Sequence, residues 1–309
     1  MLRRNMLFEE KNMKVLNGID PSMPGVGFRW HCFVPFQYPS VVRITPAMKM
    51  NRIAAVVLGV AAVATAALTA NASHSWGNYH WGRTTQNFPL QVIDSNTSNW
   101  DDELGRTLTD WSASTAFNLS ITSYDDSSKT RRRCAAVAGK IRSCNMASGH
   151  NGWLGLASIN ISGDHITQGT AKMNDSYSAQ FASQDERNHV MCQEIGHLFG
   201  LGHTSEDGST QNTCMDYSTS STSTRPNQHD YDQLTSIYAH LDSANTYSTS
   251  MAATPLTTSQ HSMAGQVPMG TRVHKGVFEE VWAAPDGKGG TWIHHVTLAA
   301  GHENTDLLH

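Results

Sequence analysis

Residues 188–207 have the sequence NHVMCQEIGHLFGLGHTSED. The predictions of fold and function both start from the spacing of polar residues in this segment. Gln193 and His197 are four residues apart, so on a helix their side chains project from the same face. Gly200 can end that helix, and the returning chain then presents His203 from a second direction. Three candidate ligands in this order leave one position open for water, which is typical of a catalytic zinc site rather than a structural one.

Glu194 follows Gln193 directly and is turned by about 100° from it around the helix. A bound zinc ion lowers the pKa of its water to roughly 7, so that hydroxide is available at neutral pH. A neighbouring carboxylate can accept the proton, and burial can raise the pKa of that carboxylate toward the working pH. The pattern therefore predicts Zn²⁺ as the cofactor and Glu194 as the general base of a hydrolase.

The string QEIGHLFGLGH (193–203), followed by CMDY (214–217), resembles the metzincin signature H-E-x-x-H-x-x-G-x-x-H with its later Met-containing turn. This resemblance implies a zinc endopeptidase that cleaves protein or peptide substrates, with a matrixin-like catalytic domain. It further implies that Met215 underlies the zinc site as the Met-turn. Tyr217 is expected to approach the metal, as in astacin-like and serralysin-like members of the family.

The first position of the motif is irregular, because Gln193 stands where the family has His. In one interpretation the side-chain oxygen of Gln193 binds zinc in place of an imidazole. In a second, His189 replaces it from one helical turn earlier, about 5.4 Å along the axis. In a third the zinc site is degraded, and the chain is a non-catalytic exported binding module on a metzincin fold. The sequence leaves all three open.

The periodicity of the chain predicts an α/β (α+β) domain over residues 73–242. The resemblance implies a mostly parallel twisted sheet, with an active-site helix and a closing C-terminal helix. Residues 129–134, KTRRRC, are expected to form a solvated loop. The expected strands are 88–95, 117–124, 152–162 and 165–174, and the expected helices are 100–115, 183–199 and 228–241.

The composition changes after residue 242. Residues 243–262 are rich in Ser and Thr and are interpreted as a linker. Residues 263–309 are expected to form a small β-rich region, with a hairpin at Pro285-Asp286-Gly287. We find no catalytic signature there: His294 and His295 are adjacent, so on a strand they point to opposite faces and cannot easily share one ion.

The resemblance also implies that a peptide substrate adds as a further strand to an exposed sheet edge. GWLGLASINIS (152–162) is the candidate for that edge. The chain has 309 residues and a formal net charge of -4, so it carries no basic footprint for nucleic acid. Among partners we therefore expect a protein or peptide substrate and no nucleic acid, and we expect the chain to act as a monomer.

Residues 48–72 have the layout of a secretory signal peptide. Lys49 and Arg52 precede an uncharged run, and Ala70-Asn71-Ala72 is a small-x-small cleavage site. We expect residues 1–47 to be an upstream extension that is absent from the natural product. Cleavage after the signal would give a secreted, extracellular chain with no stable membrane span.

Removal of residues 1–72 leaves four cysteines, an even number that predicts two disulfides in an exported protein. Proximity in sequence favours Cys134–Cys144 and Cys192–Cys214 among the three connectivities. The second bond would tie the helix of the ligand motif to the Met-turn, because Cys192 precedes Gln193 and Cys214 precedes Met215. Such a bond could hold a weak ligand in place.

Overall fold

The computed structural model describes residues 73–249, 270–303 and 307. The predicted extension (1–47), the predicted signal peptide (48–72) and residues 250–262 of the predicted linker lie outside these ranges. Within them the chain is a mixed α/β protein, as predicted. None of the helices in these ranges is long and apolar enough to cross a membrane.

The described residues form four α-helices and nine strands. The helices are α1 (Asp101–Trp111), α2 (Ser128–Arg133), α3 (Gln184–His197) and α4 (Gln228–Ile237). The strands are β1 (His80–Trp81), β2 (Phe88–Ser95), β3 (Phe117–Tyr124), β4 (Ile141–Met146), β5 (Trp153–Ser162), β6 (His165–Asn174), β7 (Thr271–Lys275), β8 (Glu279–Pro285) and β9 (Thr291–Leu298).

All nine strands belong to one sheet, in the order β3-β2-β4-β6-β5-β9-β8-β7, with β1 also paired to β6. Strands β1 to β4 and β6 pair in parallel, as expected. The pairs β6–β5, β5–β9, β9–β8 and β8–β7 are antiparallel. The expected mostly parallel sheet therefore describes only the N-terminal half, because the C-terminal hairpin joins the same sheet.

Strand β5 lies inside the sheet. It pairs with β6 on one side and with β9 on the other, where Ala157 is opposite His295. The prediction that residues 152–162 form an exposed substrate-binding edge is therefore wrong for this form of the protein. Apolar residues along a strand describe an inner strand as well as an edge strand, so the sequence could not distinguish the two.

Helix α3 carries the motif and lies against β5, β6 and α1. The Ser183 hydroxyl caps its first turn by accepting a hydrogen bond from the backbone N–H of Glu186 at 3.4 Å. From Asn188 to its end the helix is buried. The indole N–H of Trp111, on α1, donates to the carbonyl of Cys192 at 3.1 Å. The motif is thus fixed on a rigid element between the sheet and α1.

Both predicted disulfides are confirmed. Cys134 is bonded to Cys144, and Cys192 is bonded to Cys214, with Cα–Cα distances of 6.0 and 5.9 Å. The second bond joins α3 to the Met-containing segment, as the sequence suggested. Two disulfides are compatible with an extracellular protein.

Two local features differ from the sequence-based expectation. Residues 129–134 were expected to be a loop, but Ser128–Arg133 forms helix α2, capped by the Ser127 hydroxyl. That side chain satisfies a free backbone N–H at the helix start, and the three arginines 131–133 lie in the last turn, where positive charge interacts favourably with the helix dipole. Strand β4 (Ile141–Met146) was not predicted, since it has no regular alternation, and pairing on both sides with β2 and β6 decides its conformation.

Gly200 should be indispensable to the turn that follows α3. Its φ is +90°, and a Cβ there would lie 1.7 Å from the carbonyl oxygen of Tyr79. We expect Gly200→Ala to lower the free energy of unfolding by roughly 3 kcal/mol or more, measured by urea denaturation. Gly105→Ala is the matched control, because Gly105 is exposed on α1 with open space around it. This substitution should raise the free energy of unfolding by up to about 1 kcal/mol, since Ala favours a helix more than Gly does. Equal effects of both substitutions would contradict this explanation.

Candidate metal centre

The turn after α3 brings His197 and His203 together. The Nδ1 atom of His197, in the last turn of α3, is 2.8 Å from the carbonyl oxygen of Leu201. The rings of His197 and His203 are 4.7 Å apart between centroids. The sequence predicted this approach, because Gly200 lets the chain reverse directly after the helix.

A third imidazole comes from the C-terminal hairpin. His295 on β9 has its ring centroid 4.0 Å from that of His197 and 4.7 Å from that of His203. Each of the three histidines offers a ligand atom, and these atoms all lie within 4.8 Å of one another. We name His197, His203 and His295 the triad. His294 points to the other face of the sheet, where its Nδ1 is 2.8 Å from the Ser158 hydroxyl.

Sequence reasoning missed His295 as a candidate ligand. The expectation that the adjacent histidines face opposite sides of a strand agrees with the structure, but one of those sides faces α3. Only the pairing of β9 with β5 determines this placement. A local signal existed in the strict alternation of β9, which has to direct either His294 or His295 toward the protein core.

Glu279 on β8 supports two members of the triad. Its Oε2 atom is 3.3 Å from Nδ1 of His203 and is also hydrogen-bonded to Nε2 of His295. Burial alone would raise the pKa of this carboxyl, but the positive potential of His203 and His295 holds the pKa well below its usual range. Glu279 is therefore an anionic acceptor that orients both rings.

Each ring of the triad keeps one buried nitrogen without a hydrogen-bond partner among the described residues. These atoms are Nε2 of His197, Nε2 of His203 and Nδ1 of His295. In every case the second ring nitrogen is held by a carbonyl or carboxylate oxygen. In metal sites a hydrogen bond to one ring nitrogen of a histidine orients the other ring nitrogen toward the metal. Buried polar atoms normally have partners, so the three orphaned nitrogens fit a metal ion.

Gln193 is engaged elsewhere in this form of the protein. Its amide nitrogen donates to the carbonyl oxygen of Asp216 at 2.8 Å, and its Oε1 accepts from the Thr297 hydroxyl at 3.2 Å. His189, the alternative first ligand, has its Nε2 2.9 Å from the same carbonyl oxygen of Asp216. Both side chains thus contact Asp216 in the Met-containing segment, and Gln193 also contacts β9.

Glu194 is fully buried next to the triad. Its Oε1 accepts from the Thr297 hydroxyl at 2.6 Å, while its Oε2 has no partner among the described residues. Burial raises the pKa of Glu194 to about 7, against the opposing effects of His295 and the Thr297 hydrogen bond. Gly155 on β5 makes room for this carboxylate, since a Cβ there would lie 2.2 Å from Oε1.

Met215 and Tyr217 make different contacts with the residues of the predicted site. A Cβ on Gly196 would lie 2.5 Å from the Met215 sulfur, so Met215 packs against α3 one residue before His197. The Tyr217 hydroxyl donates to Oε2 of Glu279 at 2.8 Å, and its ring lies 4.1 Å from that of His203. Burial raises the pKa of Tyr217 well above its ordinary value. Tyr217 therefore contacts the triad directly, and Met215 contacts the helix that carries His197.

No protein-family model matches the chain, and no curated protein matches it significantly. The interpretation of the site therefore depends on the motif and on the geometry of these side chains.

Removal of His295 tests the membership of the triad. We expect His295→Ala to lower zinc affinity at this site by at least about 10-fold, since removing a ligand costs no less than removing one of its supports. The matched control is His294→Ala, which deletes the neighbouring buried imidazole from the opposite face and should leave that affinity unchanged. Isothermal titration with zinc measures both. Equal losses in the two variants would point to general disruption of β9 and contradict the assignment.

Proposed function

We propose that the chain is a secreted zinc-dependent endopeptidase of the metzincin kind. The observation that carries the proposal is the convergence of three unpartnered imidazole nitrogens beside the buried carboxylate of Glu194. Imidazole nitrogens suit zinc, and three protein ligands leave a position for water or substrate. When bound, zinc would activate that water and polarise the carbonyl of the scissile peptide bond.

Glu194 would hold the proton that moves during hydrolysis. In the described form the Thr297 hydroxyl holds Oε1; in a form open to substrate, from which β9 has moved away, either carboxylate oxygen would accept a proton from water and pass it to the leaving amine. In the described form the Tyr217 hydroxyl donates to Glu279, the carboxylate that orients His203 and His295. In this form Tyr217 is a positioning residue.

The described form is closed to a peptide substrate. Gln193, Glu194 and His197 have no exposed surface, and β9 occupies the edge of β5 to which a peptide would add. Catalysis therefore requires that β8 and β9 leave β5. His295 would leave with them, and Gln193 would become the remaining motif residue next to His197 and His203. We propose that the closed form is latent, and that a cut within residues 243–262 permits opening.

The second candidate is a non-catalytic exported binding module with the same fold. The coverage of β5 by β9 favours it, because a permanently closed site could hold a metal without admitting a substrate. In that case His295 would be a lasting structural ligand. The two candidates differ in whether displacement of the hairpin produces hydrolysis.

A cleavable linker separates these candidates. A recognition site for a specific protease is inserted between residues 251 and 262, and peptide hydrolysis is measured with a fluorogenic library before and after cutting. We expect the zinc-loaded chain to gain activity on cutting. Glu194→Gln in the cut chain should lower the rate roughly 100- to 10 000-fold while zinc remains bound, because only the proton acceptor is lost. Zinc retention without hydrolysis in both cut chains would favour the binding module.

Gln193→His sharpens this test. In the cut chain the substitution should tighten zinc binding, since an imidazole replaces an amide oxygen. In the uncut chain it should have little effect, because His295 already supplies the third nitrogen. Equal effects in the cut and uncut chains would contradict an exchange of ligands between the two forms.

A further inference from the structure

Strand β9 lies where a peptide substrate would add to the sheet. It runs antiparallel to β5, from Leu298 opposite Trp153 to Thr291 opposite Ile161, with one irregularity in register just after Trp153. Main-chain hydrogen bonds to a strand edge hold any sequence, whereas the alternating side chains of the added strand decide which sequences fit. The contacts between β9 and β5 therefore indicate which peptides this edge accepts.

One face of β9 is directed at α3. His295 lies in the triad, and the Thr297 hydroxyl donates to Oε1 of Glu194 at 2.6 Å. These two side chains are consecutive on this face, because strand side chains alternate. The backbone that joins them belongs to Val296 and runs past the triad and Glu194. A peptide in the same place would present a bond of that residue to the site.

The other face of β9 meets apolar side chains of β5. Val296 is opposite Leu156, and Leu298 is opposite Trp153. All four side chains are buried in one apolar cluster. Departure of β8 and β9 would expose Leu156 and Trp153 to water, which is unfavourable in proportion to the apolar area. A peptide that replaces β9 restores this burial only if it has apolar side chains at both positions.

His295 distinguishes β9 from a substrate. Its ring centroid is 4.0 Å from that of His197, a contact distance, so no water molecule fits between the two rings. The same ring is buried and fills the space between the strand and the motif helix. A peptide with a small side chain at this position would leave that space to water. Strand β9 is therefore held in the groove beside β5 without being hydrolysed.

We propose that the peptidase takes extended segments with aliphatic side chains at the positions of Val296 and Leu298 and a small side chain at that of His295. Leu156 and Trp153 determine this specificity, and the bond that is cut flanks the position of Val296. The substrate class rests on the proposed function, whereas the apolar groove exists in either candidate. Hydrolysis adds the oxygen of water to the carbonyl carbon and breaks the C–N bond, while a proton passes through the Glu194 carboxylate to the leaving amine nitrogen.

Peptide binding tests the groove without requiring hydrolysis. A fluorescent peptide of residues 290–299 is added in excess to the Glu194→Gln chain with its linker cut, and anisotropy is measured. We expect it to displace the hairpin and bind. Val296→Thr and Leu298→Ser in the peptide should each weaken binding about 10-fold or more, because each places a polar group against apolar side chains of β5.

The matched control is Thr291→Ser in the same peptide. Thr291 lies at the far end of the ladder, opposite Ile161 and away from the apolar cluster, so this change should leave binding unaltered. Equal binding of all four peptides, or no binding of any of them, would overturn the assignment of the groove.

Hydrolysis separates the substrate class from the peptidase activity itself. In the zinc-loaded cut chain with Glu194 intact, the peptide of residues 290–299 should bind and remain whole. Its His295→Ala form should be hydrolysed next to Val296, with the bond identified by mass spectrometry. Selective binding without hydrolysis of any peptide would contradict the peptidase and leave only the groove. Hydrolysis of unrelated library peptides, with the His295→Ala peptide intact or cut elsewhere, would overturn the substrate class and leave the peptidase.

Discussion

The hydrogen-bonded ladder between β5 and β9 is the interaction on which the site depends. It makes the C-terminal hairpin part of the sheet and sets its register, with Ala157 opposite His295. That register directs His295 toward α3 and, two residues later, Thr297 toward the carboxylate of Glu194. A shift of one residue would turn both side chains to the other face, because strand side chains alternate.

Because the triad and its neighbouring carboxylates are buried, their charges and polar atoms need partners within the protein. Three imidazoles and the carboxylates of Glu194 and Glu279 lie in one region with almost no exposed surface. Glu279 supplies a fixed negative charge to two of the rings, and a backbone carbonyl orients the third. Three orphaned nitrogens are costly in a dry interior, where an unmet polar atom loses its hydration without compensation. A bound cation would remove that cost.

The structure offers His295 as a second candidate for the ligand position at which the motif has Gln193 instead of His. Gln193 hydrogen-bonds to the Met-containing segment and to Thr297 on β9, while His295 supplies the imidazole nearest to His197. The chain thus carries two candidate third ligands, one on the motif helix and one on a hairpin that also covers the strand edge. This links the choice of ligand to access by substrate, since both depend on whether β9 stays paired.

Features that depend on neighbours along the chain could be predicted from the sequence alone. Helix α3 with its Ser183 cap, the reversal at Gly200, the meeting of His197 with His203 and both disulfides follow from local spacing and chemistry. Three features depend on the folded chain: β5 is an inner strand, β9 brings His295 to the triad, and His80, His165 and Asp242 converge. Those contacts join residues more than 70 positions apart, and pairing across a sheet leaves no periodic signal in either segment alone.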